Sequence, residues 1–226
     1  MSNNLYEKKW NILLKRSWPF KFIPFIDFVF VAGSMAMGGV KDDSDFDVII
    51  GARWGRIFLV RFLCYLTFNL LGLRAKHIDN APEEEYKNKF CFNHFITVNS
   101  YKLSPPYNNY WKNLYKSLVP IFGKPEEIQK FYDANAQWMG ERRIYKEDKR
   151  HLYKEKTTAQ KFREQILSGV FGEMAENFTK KIQLERIKKN LKKTGKYKPR
   201  IIYNDDELEF HPHTKRIEDF ITNQSK

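Results

Sequence analysis

The stretch "FVFVAGSMAMGGVKDDSDFDVII", residues 28–50, constrains the fold of this chain more than any other. It begins as an apolar run, breaks at Gly33 and Ser34, crosses a link of small and polar residues, and ends in a second apolar run. Aromatic and β-branched runs bounded by glycine and polar residues are typical of buried strands. The stretch therefore predicts two strands, at residues 27–32 and 45–51, joined by a short helix.

The rest of the chain alternates predicted helices with predicted strands. Helices are expected at residues 5–18, 54–72, 108–118, 125–139 and 158–191, and strands at residues 90–98 and 200–203. Strands separated by helices indicate an α+β fold, here a small mixed β-sheet backed by helices with a C-terminal basic helical region. We expect a first domain over residues 1–145 and a helical, lysine-rich region over residues 146–226.

Positive charge is concentrated near the C-terminal end. The formal net charge is +13, and residues 177–200 hold ten Lys or Arg residues against Glu185 alone. Charge of this sign and density favours a polyanionic partner, either nucleic acid or an anionic membrane surface, and RNA is the one we favour among them. The candidate contacts are Lys188, Lys189, Lys192 and Lys193. The alternative is a solvated helix face that binds nothing.

Apolar residues recur at helical spacing through residues 158–191, which predicts one long helix with a single apolar stripe. We expect packing against the core to use this stripe fully, so that no membrane partner is predicted. The first residues lack the apolar segment and cleavage site of a signal peptide, which predicts a cytoplasmic protein. The two cysteines, Cys64 and Cys91, are expected to be buried thiols, with no disulfide and no zinc site.

Two aspartates open the second predicted strand. Because side chains alternate along a strand, Asp45 and Asp47 project to the same side, about 7 Å apart. Their mutual repulsion is relieved if they share a divalent cation, and carboxylate oxygens suit Mg²⁺ or Mn²⁺. Gly33 and Ser34 lie at the end of the preceding strand, where a glycine, a hydroxyl and unpaired N–H groups suit a phosphate. The sequence therefore predicts a metal-chelated nucleoside triphosphate, ATP among them, as ligand.

The segment "GSMAMGGVKDDSDFDVII" resembles the signature of the nucleotidyltransferase superfamily, which includes DNA polymerase β-like enzymes and minimal nucleotidyltransferases. The resemblance covers roughly residues 26–98, and the matching positions are Gly33, Ser34, Gly38, Ser44, Asp45 and Asp47. It implies a small mixed sheet, Mg²⁺ ions held by the two aspartates, and nucleotide phosphates held near Gly33, Ser34 and Ser44. It also implies a reaction in which a hydroxyl attacks the α-phosphate of a nucleoside triphosphate and expels pyrophosphate.

One feature departs from that family pattern. The family usually places a third carboxylate on a later strand, but the predicted strand "FCFNHFITV" contains no acid. Strict alternation puts Cys91, Asn93 and Phe95 on one face and His94 on the other. We expect Asn93 on the metal-facing side, in the position of the third carboxylate. His94, acting as a base, and an acid from the loop of residues 79–85 remain the alternatives.

The function predicted from these residues is Mg²⁺-dependent transfer of a nucleoside monophosphate to a hydroxyl. The acceptor is an RNA end, a protein or a small molecule. Two alternatives stay open at this point. One is a catalytically silent module that binds a nucleotide or RNA, and the other is an antitoxin-like minimal nucleotidyltransferase that acts on a partner protein.

Overall fold

The computed structural model describes residues 2–76, 82–105, 107–191 and 200–211. Its strands are β1 (Ile26–Val31), β2 (Phe46–Ala52), β3 (Phe90–Ile96), β4 (Val119–Gly123), β5 (Arg200–Tyr203) and β6 (Glu207–His211). Its α-helices are α1 (Ser2–Arg16), α2 (Gly33–Met37), α3 (Ile57–Leu70), α4 (Asn109–Ser117), α5 (Pro125–Met139), α6 (Thr158–Ile166) and α7 (Val170–Leu191). The protein is an α+β fold with a six-stranded mixed sheet, as the sequence predicts.

The strands lie side by side in the order β4-β1-β2-β3-β6-β5. Only the β2–β3 pair is parallel, and the other four pairs are antiparallel. The edge strand β4 contains Pro120, which lacks an N–H and is tolerated at a sheet edge. Strands β4 and β6 are not predicted from the sequence, because both are short and neither has a clear alternating pattern.

Helices cover both faces of the sheet. On one face, α1 and α3 pack with the inward residues of β2 and β3, which include Phe46, Val48 and Phe90. On the other face, α4 and α5 pack over Phe28 and Phe30 of β1. We refer to these as the α3 face and the α5 face. Each face buries aromatic side chains, so both sides of the central strands are apolar over most of their length.

The region predicted as one helix over residues 158–191 forms two helices, so that prediction is wrong. The chain leaves the α6 helix at Leu167 and starts α7 at Val170, with Ser168 and Gly169 between them. Glycine is a poor helix former, which favours the break at this point. A side chain at Gly172 would also collide with the backbone of Leu167, because a Cβ there would lie 1.7 Å from the Leu167 carbonyl oxygen.

The expected packing of the apolar stripe is also wrong. Phe171, Met174 and Phe178 of α7 are exposed, whereas Glu176 and Gln183 of the same helix are buried. Helix α7 therefore docks through its polar side and presents its apolar side outwards.

The predicted division of the chain near residue 145 stays a prediction. The sheet itself takes strands from both sides of that position, since β6 pairs with β3. Across the parts of the chain that the structure describes, every helix is too short or too polar to cross a bilayer.

Candidate functional site

The two aspartates lie at the start of β2 and project from its α5 face. Phe46, Val48 and Ile50 belong to the core on the α3 face, and Ile49 belongs to the core on the α5 face. Alternation therefore places Asp47 with Ile49. Asp45 and Asp47 are both half-buried, so their carboxylates stay accessible to a ligand.

Gly33 is required by the close approach of Asp47. Its φ is +57°, which side chains other than glycine rarely adopt, and a Cβ there would lie 2.1 Å from Oδ2 of Asp47. The Ala32 N–H also donates to the Asp47 carbonyl oxygen at 2.9 Å. The turn that contains Gly33 and Ser34 therefore lies directly against the Asp47 carboxylate. The phosphate-binding and metal-binding residues predicted from the sequence are neighbours in space.

Cys91 completes a compact group with the two aspartates. It is in register with Asp47 across the parallel β2–β3 pair. Its Sγ and one carboxylate oxygen from each of Asp45 and Asp47 lie within 4.8 Å of one another. Burial, and then the negative charges of Asp47 and Asp45, raise the pKa of the Cys91 thiol well above its ordinary value. The thiol therefore stays protonated at neutral pH and cannot serve as the missing base.

Asn93 also lies beside the pair, as expected. Its Nδ2 donates to Oδ1 of Asp47 at 3.4 Å. Strict alternation along β3, however, is wrong. The pairing of β3 with β2 shifts register between Cys91 and His94, and Phe95 packs in the same core as Phe90 and Phe92. The irregularity gives β3 an extra residue near Asn93, which reverses the face of every later residue.

His94 is directed towards β6. Its Nε2 lies 3.1 Å from Oε1 of Glu207, and Ser104 donates to the other oxygen of that carboxylate at 3.2 Å. Glu209 is in register with His94, and ligand atoms of His94, Glu207 and Glu209 lie within 4.8 Å of one another. All three side chains are buried. Glu207 and Glu209 therefore place two carboxylates on β6, next to β3. The sequence of β3 itself contains no acid.

The loop before Asp45 is held by a buried lysine. Lys9 of α1 is 1% exposed, and its Nζ donates to the carbonyl oxygens of Asp42 and Ser44 at 2.5 and 3.0 Å. Burial lowers the pKa of Lys9, although Asp42 opposes this effect. The Ser44 hydroxyl accepts from the Lys41 N–H at 2.9 Å, so this predicted nucleotide-binding group also closes the turn. Nothing in the run "EKKW" marks Lys9 as a structural residue.

The other residues named in the sequence analysis lie away from this group or outside the described residues. Asp79, Lys192 and Lys193 lie outside the described residues. Glu83 forms an ion pair with Lys87, which also pairs with Asp42 of the loop. Lys188 and Lys189 are exposed on the last turns of α7.

The donor atoms suit a hard divalent cation. Two carboxylates on one strand supply the oxygen ligands that Mg²⁺ and Mn²⁺ prefer. Asp45 and Asp47 are the residues that would hold such an ion, and the backbone of the Gly33 turn lies directly against the Asp47 carboxylate. The thiol of Cys91 lies next to both aspartates, and the amide of Asn93 contacts Asp47.

A comparison with protein families, with curated proteins and with solved structures found no match to this chain.

Proposed function

We propose that the protein is a nucleotidyltransferase, which transfers a nucleoside monophosphate from a nucleoside triphosphate to a hydroxyl acceptor. Mg²⁺ or Mn²⁺ is the proposed cofactor, and the cytoplasm, which supplies nucleotides, is the proposed compartment. An RNA end, a protein hydroxyl and a small molecule are the acceptor classes, and the net charge of +13 favours RNA among them.

The observation that carries the proposal is the contact between the Gly33 turn and the Asp47 carboxylate. The turn that we assign to the phosphates and the acid pair that we assign to the cation lie against each other, because a Cβ at Gly33 would collide with the Asp47 carboxylate. In sites that transfer phosphoryl groups, backbone groups that hold the phosphates act together with metal ions that bridge the phosphate oxygens. Ser34 is the second residue of α2, and its carbonyl oxygen accepts from the Gly39 N–H at 3.0 Å, which closes the segment.

In the proposed reaction, the acceptor oxygen attacks the α-phosphorus and forms a new P–O bond. The bond between the α-phosphorus and the bridging oxygen breaks, and pyrophosphate leaves with its electron pair. A divalent cation at Asp45 and Asp47 would stabilise the charge on the phosphate oxygens. The chain's own residues orient the nucleotide at the Gly33 turn. The proton of the acceptor hydroxyl passes to water or to a carboxylate near Asn93.

A catalytically silent nucleotide- or RNA-binding module is the second candidate, and Cys91 is the observation that favours it. The residue in register with Asp47 carries a thiol that burial keeps protonated. A site with two carboxylates and a neutral thiol can bind a chelated nucleotide without activating an acceptor.

The two candidates are separated by incubating the protein with each labelled nucleoside triphosphate and Mg²⁺ or Mn²⁺, with and without total RNA. Label on RNA, on the protein or on a small molecule identifies a transferase and its acceptor. In parallel, the metal and nucleotide together should raise the melting temperature, because they bind the native state. The Asp45→Asn/Asp47→Asn variant should lose both the transfer and this rise.

The matched control is Asp43→Asn, an exposed acid of the same loop that does not belong to the group around Asp47. It should keep both responses. A rise in melting temperature without any label transfer would support the binding module. A double variant that still responds to metal and nucleotide like the wild type would disprove the site.

A further inference from the structure

Helices α6 and α7 dock on the protein through polar side chains. Glu176 of α7 accepts from the N–H groups of Phe58 and Leu59 at 3.0 and 2.7 Å, at the first turn of α3. Gln183 donates to the Phe58 carbonyl oxygen at 2.8 Å. These N–H groups have no partner within α3, so a polar side chain from α7 is needed to satisfy them. The polar side of α7 is therefore its inner side.

Helix α6 is attached in the same way. Gln160 donates to the Ile23 carbonyl oxygen at 2.8 Å. Glu164 accepts from the Phe25 N–H at 2.8 Å and pairs with Arg53 at 2.8 Å. Both helices thus use buried polar groups to satisfy the backbone of the underlying protein. Ala175 and Leu184 of α7 still pack against the core and Ile187 is buried, but the larger apolar residues in the first half of α7 are turned outwards.

The outward apolar residues form a surface that we call the outer stripe. Phe171 is 76% exposed and Phe178 is 64% exposed. Spacings of three and four residues place these side chains next to one another on α7. The members of the outer stripe are Phe162, Ile166, Val170, Phe171, Met174, Phe178 and Ile182.

The outer stripe is too large to be an ordinary feature of a monomer surface. Seven large side chains, each exposing roughly 100 Å², give an apolar area of about 700 Å². The largest apolar patch on a typical monomer is about 300–600 Å², and it often has a function. The outer face of α3 adds exposed residues at Phe62, Leu66 and Leu70. This side of the molecule is therefore a surface that binds something.

The charges around the outer stripe favour an anionic lipid surface. Exposed basic residues accompany the stripe along α6 and α7, among them Lys161, Arg163, Lys181, Lys188 and Lys189. Exposed phenylalanines with Lys or Arg nearby also occur on helices that lie in a membrane interface, and here the basic residues outnumber the exposed acids of α7, Glu173 and Glu185. Each basic residue near an anionic leaflet adds about 1 kcal/mol of attraction. A second copy of the chain would instead bring its own charge of +13 to the contact.

Trp54 adds an aromatic anchor next to the same helices. It is 64% exposed in the turn between β2 and α3. Its neighbours Arg53 and Arg56 bind Glu164 and the Ser168 carbonyl oxygen, which are parts of α6 and of the link to α7. Tryptophan prefers the polar boundary of a bilayer, where its ring is partly apolar and partly hydrated.

The outer stripe and the aspartate pair lie on opposite sides of the sheet. Helix α7 packs on α3, which covers the α3 face, whereas Asp47 projects from the α5 face. Trp54 also lies in the turn beyond the opposite end of β2, whose last residue, Ala52, is about 17 Å along the strand from Asp47. A surface that docks on the outer stripe would leave the aspartate site open to water.

We propose that the protein attaches peripherally to anionic membranes through the outer stripe, with Trp54 and the neighbouring lysines at the lipid–water boundary. This proposal does not depend on nucleotidyl transfer. It replaces the expectation of no membrane partner, which assumed that the core uses the apolar stripe.

The test is co-sedimentation of the full chain with vesicles of phosphatidylcholine and with vesicles of phosphatidylcholine mixed with phosphatidylglycerol. We expect binding to the mixed vesicles and little binding to pure phosphatidylcholine. Phe171→Gln/Phe178→Gln should weaken partitioning by about tenfold for each phenylalanine removed from the apolar layer. The tryptophan emission should shift to shorter wavelength with mixed vesicles, and Trp54→Phe should reduce this shift.

The matched control is Ile144→Gln/Leu152→Gln, which removes two exposed apolar residues from outside α6 and α7. It should bind vesicles like the wild type. Both double variants should keep the wild-type melting temperature, because all four residues are exposed. Equal vesicle binding by the wild type and the phenylalanine variant would overturn the proposal. So would a lack of vesicle binding together with a dimer that the phenylalanine variant dissociates, which would make the outer stripe an interface between copies.

Discussion

Asn93 and Cys91 decide what the site can do. Both lie next to Asp47, and neither side chain is a base that can accept the proton of an attacking hydroxyl. The sequence places Asn93 correctly, because the first residues of β3 alternate regularly. It does not place His94, because a register shift inside a strand depends on the neighbouring strand. The contact of His94 with Glu207 needs β6, which is distant in sequence.

Asn93→Asp should raise the rate of nucleotidyl transfer with Mg²⁺. The new carboxylate would lie beside Asp47 and supply the third acid, and general-base help is worth about 10²–10⁴-fold. Without metal, the variant should melt at a lower temperature near neutral pH, since a third negative charge is added to the group. Single-turnover rates and melting curves with and without Mg²⁺ measure both effects.

His94→Gln provides the contrast to the Asn93 variant. Its side chain contacts Glu207, so it should leave the pH dependence of transfer unchanged. If this variant instead abolishes an inflection near neutral pH, His94 is the base and the role assigned to the Asn93 position is wrong.

At the scale of elements, the helix and strand positions follow from the sequence far better than their orientation. Helix α5 begins and ends at the predicted residues 125 and 139, since proline opens it and glycine follows it. Large apolar residues also recur at helical spacing in the first part of α7, but such spacing shows only that a helix has an apolar side. The buried side of α7 is set by Glu176 and the unpaired N–H groups of α3, a long-range requirement that no local pattern contains.

Glu176→Ala should destabilise the protein by about 2 kcal/mol. It removes the acceptor for the N–H groups of Phe58 and Leu59 and leaves both buried without a partner. Chemical denaturation measures the loss. Glu173→Ala, on the exposed side of the same helix, is the matched control and should change the free energy of unfolding little. An equal effect of the two substitutions would mean that Glu176 does not cap α3.

The whole molecule combines the proposed nucleotide site on one side of its sheet with a basic and apolar surface on the other. Helix α7 contributes both parts of that surface, since its outer stripe ends near the exposed Lys188 and Lys189. Composition alone predicts the attraction to polyanions, because the net charge is +13. Composition cannot distinguish RNA from an anionic lipid surface as the partner, since both are anionic. The apolar residues that favour lipid are seen to be exposed only once the fold is known.

Lys188→Ala/Lys189→Ala should weaken RNA binding and reduce its salt dependence. Each lost phosphate contact lowers the slope of log affinity against log salt concentration by about 0.7–0.9. Titration of labelled RNA at several salt concentrations measures the slope. Lys146→Ala/Lys149→Ala, which removes two exposed lysines outside α7, should leave it unchanged. A wild-type affinity that is independent of salt would show that these lysines are only hydrated surface.

The pairing of β6 with β3 leaves β3 without one of its neighbours while the chain is being synthesised. Glu207 follows Ile96, the last residue of β3, by 111 residues. At translation rates of about 5–20 residues per second, β3 waits roughly 5–20 s for its second neighbour. During that interval β3 is the edge strand of the nascent sheet, and an open edge rich in phenylalanine invites pairing with other chains. Once it is made, the C-terminal hairpin covers this edge of β3, so we expect the completed chain to aggregate less readily than a chain that ends before β5.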